Sequence, residues 1–376
     1  MSLSFARFGA VLVKEFIQMR RDRVTFAMMI GVPLMQLLLF GFAINADPHH
    51  LPTLVEMADE GPVSRAIVSA MRTSGYFDFI GVVTGPAAGD RALRDGTANF
   101  VVVIPPGFER DVVRGLAPDI LLSADASDPS ASGAAVAALG AIVQGAVSEA
   151  LAGPVKPAAA GVSPVGIIVH RQFNPEGRTA TNIVPGLLAI IMSMTMVMIT
   201  AVAIVRESER GTMEALLATP VRPIEVMLGK ITPYILVGYV QTAVFLLAGK
   251  LIFDVPFLGD GWTFFAGFNL YIVANLALGF LISTLSRSQM QAMQLSFFTL
   301  LPSILLSGFM FPFAGMPGWA QAIGQAIPAT HFLRLTRKVM LKGAALPDVV
   351  PDMAGIVVIM AVIVTAALLR YRRTLD

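Results

Sequence analysis

The chain has 376 residues, 55% of them hydrophobic and only 14% charged, with a mean hydropathy of +0.73. Charged residues make up about a quarter of an ordinary soluble globule, so that class is excluded. The net charge of +2 gives no support to nucleic-acid binding, and the absence of cysteine removes thiolate metal sites, disulfides and thiol redox chemistry.

From the N-terminus, a basic cluster, Arg20-Arg21-Asp22-Arg23, leads into an apolar run, Val24–Ala43, with no ionisable side chain inside. A bilayer core of roughly 30 Å needs about 20 such residues. The segment before it is long and carries acids as well as bases, and the apolar run exceeds the about 7–15 residues of a signal-peptide core. A retained anchor is therefore expected, although Ala43–Ala46 offers small residues near a plausible cleavage point.

Residues 47–182 are polar by comparison. Strand-like runs rich in Val, Ile and Phe (51–57, 77–83, 100–104, 120–123, 167–170) alternate with helix-like ones (62–73, 87–95, 108–114, 130–151). That alternation predicts a small α/β domain. The Ala/Gly-rich run 130–151, with Gln144 and Glu149, reads as a packing helix rather than a span. Asp119, Asp125 and Asp128 lack the calcium-loop pattern, so Asp125-Ala-Ser-Asp128-Pro129 reads as a turn into a helix.

Five more apolar runs follow, at about 183–205, 231–253, 262–284, 290–311 and 353–370. The run 290–311, fifth of the six, is the least clean, with Gln291 and Gln294 at its start and Pro302 inside it. The expected fold is a polytopic α-helical membrane protein with six transmembrane helices and an inserted extracytoplasmic α/β domain. Basic residues near span ends set orientation. Lys14, Arg20, Arg21, Arg23, Arg206, Arg210, Arg222, Lys230, Arg287, Arg370, Arg372 and Arg373 outweigh the opposite set, which places both termini in the cytoplasm and 47–182 outside.

No span core carries Asp, Glu, Lys, Arg or His, the groups a proton relay or ion site needs at the midplane. No P-loop exists either: Gly229-Lys230 and Gly249-Lys250 lack both the upstream glycine and the following Ser or Thr. Energy for any transport must then come from elsewhere, a separate energising subunit being the simplest source, and no catalytic, cofactor or metal site is expected in the chain itself. The loop after the second span is where such a subunit would push. The helix is expected to run to Arg210 and break at Gly211, with Thr212 as an N-cap and Glu214 in the next first turn.

Glu207-x-Glu209-Arg210-Gly211-Thr212-x-Glu214-x-Leu216-Leu217 followed by Thr219-Pro220 resembles the coupling-loop signature of type-2 ABC transporter permeases. Residues 11–23, including Lys14, Glu15, Arg20 and Arg21, resemble the cytoplasmic elbow helix of that family. Phe173-Asn174-Pro175-Glu176 and Val184-Pro185-Gly186 resemble the approach to its second span. Pro312, Gly315-Met316-Pro317, Trp319, Pro328 and Thr330-His331-Phe332 resemble its external re-entrant hairpin. The resemblance covers nearly the whole chain and implies a plan: elbow 1–23, first span 24–46, external domain 47–182, and a five-helix domain 183–376. This last part would hold the coupling loop 206–222 and the hairpin 312–345. It further implies an ATP-driven exporter of lipophilic or drug-like substrates in a bacterial inner membrane, with both termini cytoplasmic. The implied partners are cytoplasmic ABC ATPase subunits that bind ATP and Mg, a second permease copy or a sibling, membrane lipids and an optional periplasmic adaptor, with no nucleic acid. The rival readings are a membrane-anchored sensor or assembly scaffold and a secondary transporter, with a membrane-embedded enzyme a distant third.

Overall fold

The computed structural model describes residues 49–151, 165–209 and 223–371. The elbow segment 1–23 and first span 24–46 lie outside these residues. So do Lys14, Glu15, Arg20, Arg21, Arg210, Gly211, Thr212, Glu214, Leu216 and Leu217.

The first half builds one sheet. Its strands are β1 (Leu51–Met57), β2 (Phe77–Val82), β3 (Phe100–Ile104), β4 (Asp119–Asp125) and β5 (Gly166–Gln172), in the order β2-β1-β3-β4-β5. The β1–β2, β1–β3 and β4–β5 pairs are parallel and β3–β4 is antiparallel. Helices α1 (Pro62–Thr73), α2 (Pro86–Asp95), α3 (Phe108–Val113) and α4 (Pro129–Leu151) connect them. The period-2 alternation of a strand sends Phe100, Val102 and Ile104 into the larger core. There they meet Ile67 and Met71 of α1 and Ala135, Leu139, Val143 and Val147 of α4. The last four repeat every four residues, the stripe a helix needs to lie on a sheet. Val101 points to the other face, where it packs on Gly89 of α2. Both faces of β3 are therefore covered, which is why it reads as an unbroken apolar run.

The second half is helical: α5 (Thr179–Glu209), α6 (Pro223–Leu251), α7 (Gly261–Leu285), α8 (Gln289–Leu306), α9 (Gly318–Gln325), α10 (Pro328–Lys342) and α11 (Leu346–Tyr371). Among the described residues, five helices are long and apolar enough to cross a membrane: the main parts of α4, α5, α6, α7 and α11. The helix α8 is not one of them. It stops at Leu306, short of the apolar run read to 311, because Gly308 takes a positive φ of 87° and turns the chain.

The junction between the halves is tight. Asn174 accepts the Arg178 N–H at 2.9 Å and donates to the Arg178 carbonyl at 3.1 Å, so a closed turn delivers β5 into α5. Helix α5 then packs against α7, α8 and α10. The shared core holds Leu188, Met192 and Met196 of α5, Phe264, Phe268 and Tyr271 of α7, and Phe332, Leu335 and Val339 of α10. The Tyr271 and Phe332 rings stack 4.1 Å apart, and the Tyr271 hydroxyl donates to the Ala189 carbonyl at 2.7 Å. A second buried polar link joins Ser193 to Asn275 at 2.6 Å. Such pairs satisfy polar atoms where a bilayer offers no water.

Candidate functional site: the two ends of the helical bundle

A 31-residue helix rises about 46 Å, so α5 has two functionally separate ends. At its C-terminal end, Arg206 and Glu209 face the turn between α7 and α8. Ser288 caps α8, its hydroxyl accepting the Gln291 N–H at 3.2 Å, while Gln291 accepts the Arg287 N–H at 2.9 Å. This is close to the reciprocal capping-box arrangement, and Ser288-x-x-Gln291 was its sequence signal. The Glu209 carboxylate accepts both the backbone N–H of Gln289, at 2.9 Å, and its side-chain amide. Arg206 Nε donates to Gln289 Oε1 at 3.3 Å. Of the coupling-loop residues, Glu209 is thus placed on the turn beside α8, and Glu207 lies on the last turn of the same helix. Gln289 and Arg206 were not among the predicted site residues.

At the opposite end, α10 lies between the sheet and the helices. One side contributes Phe332, Leu335 and Val339 to the bundle core, while cations project elsewhere. Lys342 Nζ meets Asp125 Oδ2 at 2.5 Å, donates to the Leu93 carbonyl at 2.9 Å and sits 5.2 Å from the Phe173 ring centroid. Its side chain is only 5% exposed and that of Asp125 only 9%. Arg337 reaches Asp128 at 3.3 Å and the Gly308 carbonyl at 3.2 Å. Lys338 pairs with Asp352 of α11 at 3.0 Å. Burial pushes the Arg334 guanidinium below its ordinary value, with Asp352 acting in the opposite sense. Asp125 does make the expected turn, accepting the Ser127 N–H at 3.0 Å. Its second oxygen docks the helical half, which no local pattern announced.

Between α6 and α7, Lys250 donates to Asp254 at 3.0 Å, and this bond holds the Asp254 carboxyl below the usual range. Asp260 caps α7, and the backbone N–H groups of Thr263 and Trp262 lower its carboxyl in the same way. Val184-Pro185-Gly186 opens space at the start of α5: a Cβ on Gly186 would stand 2.2 Å from the Phe309 ring. Of the four methionines of α5, Met192 and Met196 are buried in the bundle, whereas Met194 is exposed.

Among the described residues, an apolar helical bundle carries an α/β domain on one end, an arrangement that fits a multi-pass membrane protein. A family model described as "ABC-2 family transporter protein" matches residues 23–369, and the chain belongs to that family. It is an ABC permease of the type-2 class, a multi-pass protein of the inner membrane. The chain is 30% identical to the probable multidrug ABC transporter permease YbhS of Escherichia coli over 357 residues, covering 91% of this chain and 90% of that protein. It is 27% identical to YbhR of the same organism, a probable multidrug ABC transporter permease, across 98% and 99% of the two chains. With the E. coli inner membrane transport permease YhhJ it shares 34% identity over 76% of each. No solved structure matches the chain.

Proposed function

We propose that the chain is the membrane half of an ATP-driven exporter that moves lipophilic, drug-like molecules outward. A separate cytoplasmic ATPase would bind ATP and Mg and press on 206–222. The full-length likeness to permeases named as probable multidrug transporters carries this reading. The charge distribution supports an inside N-terminus, six spans beginning with Val24–Ala43, and an α/β domain outside. In that arrangement α4 belongs to the external domain despite its apolar length, since its stripe is spent on the sheet. Two permeases, identical or siblings, would enclose the pathway. Charged and apolar residues of Glu207–Leu217 other than Glu209, whose carboxylate is held on α8, would dock an ATPase groove as a short amphipathic helix.

The test is reconstitution of the chain with its cognate ATP-binding subunit in liposomes, followed by Mg-ATP-dependent movement of a lipophilic fluorescent cation. Transport that needs both subunits and vanishes with a hydrolysis-dead ATPase supports export. If no ATPase associates with folded chain, a membrane-anchored sensor or scaffold becomes the better account.

A further inference from the structure

We propose that Glu209 and Gln289 form an internal bridge that passes displacement of the 210–222 segment directly into α8, with Gln289 as its positioning residue. The inference rests on the coupling reading above but assigns Glu209 a different task from touching the ATPase. A carboxylate at the C-terminal end of a helix opposes the helix dipole, so Glu209 is a poor choice for α5 alone. At the N-terminus of α8 the same charge is favourable, because the first N–H groups of a helix have no partner within it. Glu209 supplies one: its Oε1 accepts the Gln289 backbone N–H at 2.9 Å. Its second oxygen takes the Gln289 side-chain amide, and the remaining amide oxygen of Gln289 accepts Arg206 Nε at 3.3 Å. Three side chains thereby join the last turn of α5 to the first residue of α8.

The bridge sits at the last residue of α5, immediately before the segment on which the ATPase would act. A push there reaches α8 through a two-point carboxylate contact as well as through α5 itself. Helix α8 in turn leads to Gly308, whose carbonyl accepts Arg337 of α10. Such a bridge gives the α5 and α8 ends a shared motion that packing of Ala292 against Val197 and Ala201 alone would leave freer to slide.

Two arms test it. The chain has no cysteine, so a Glu209→Cys/Gln289→Cys pair can be joined selectively in the full-length protein by a short thiol-to-thiol bridging reagent. Efficient bridging is expected, and failure to cross-link overturns the geometry whatever the function. In the complex, Glu209→Ala, Gln289→Ala and the double variant are compared for ATPase association and coupled ATP hydrolysis. Each single change should lower coupled hydrolysis about threefold or more while association is unchanged, and the double should be no worse than the worse single. The Glu209→Gln/Gln289→Glu swap keeps an acceptor for the residue-289 N–H and restores a partner for Arg206, so it should recover most of the loss. Loss of association in Glu209→Ala alone, with Gln289→Ala normal, would mean a direct ATPase contact and overturn the bridge. If wild type binds no ATPase, the export reading fails, and the bridge is then judged by the cross-link and by non-additive melting shifts in the chain alone.

Discussion

Replacing Lys342 by Met removes the only basic group shown on the Asp125 carboxylate while keeping the length and much of the apolar volume of the side chain. Asp125 would keep only the Ser127 N–H among the contacts described above, buried between β4 and α10. Breaking one side of a buried ion pair costs about 3–5 kcal/mol, because the surviving charge is left without compensation. At about 1.4 kcal/mol per tenfold, that is roughly two to three and a half orders of magnitude in the opening equilibrium of this contact. Hydrogen exchange reads it directly. The Ala126 amide, bonded to the Gln172 carbonyl at 3.1 Å, and the amides at the end of β4 should exchange faster by about that factor in Lys342→Met. Exchange at α1, which packs on the far side of the sheet, should change little. The Asp125→Leu/Lys342→Met double variant should recover most of the loss, since a hydrophobic replacement of a whole buried pair is often neutral or better. An increase below about tenfold, or a double variant as damaged as the single, refutes the assignment of docking energy to this pair.

Three further outcomes follow from the same geometry. Gly279→Ala places a Cβ 2.7 Å from the Val197 carbonyl oxygen and 2.8 Å from Thr200 Cβ, so α5 and α7 must part. A cost of about 1–3 kcal/mol is expected in detergent melting, and a raised melting point, as helix propensity alone predicts, would contradict the close approach. Tyr271→Phe keeps the stack on Phe332 but loses the bond to Ala189, which should cost about 1 kcal/mol by the same assay. Asp260, whose folded-state carboxyl is lowered by capping α7, stabilises above its unfolded pKa of about 3.9, and this contribution is lost as pH falls through the depressed value. Asp260→Asn retains an acceptor without a titrating group, so its acid melting curve should be flatter than wild type below about pH 4.

The local elements were legible and the long-range ones were not. Phe100–Ile104 and Pro62–Thr73 read from sequence at the bounds the structure gives, because apolar alternation and helical spacing are properties of the segment alone. The fifth apolar run was read to residue 311, but hydropathy registers burial and not backbone. Phe309 is half-buried and packs against Gly186 after the helix has already turned at Gly308. Asp125 and Asp128 read as a turn, which accounts for Ser127, but their partners are Lys342 and Arg337. Nothing within the turn encodes a contact 217 positions away. The Glu209 end was half legible: the capping spacing of Ser288 and Gln291 was in the sequence, whereas the approach of α5 to that turn depends on how the helices pack.

The separation of Asp125 and Lys342 also has a consequence in time. Translation at about 5–20 residues per second puts roughly 10–40 s between the synthesis of the carboxylate and that of its counterion, 217 positions later. During that interval the sheet can close, since β5 is complete at Gln172, but its contact face for α10 is still open. Five further helices, α5 to α9, are made before α10 arrives. A chaperone or quality-control protease that recognised the uncovered Asp125 face would therefore report on whether the last third of the chain had been made and inserted.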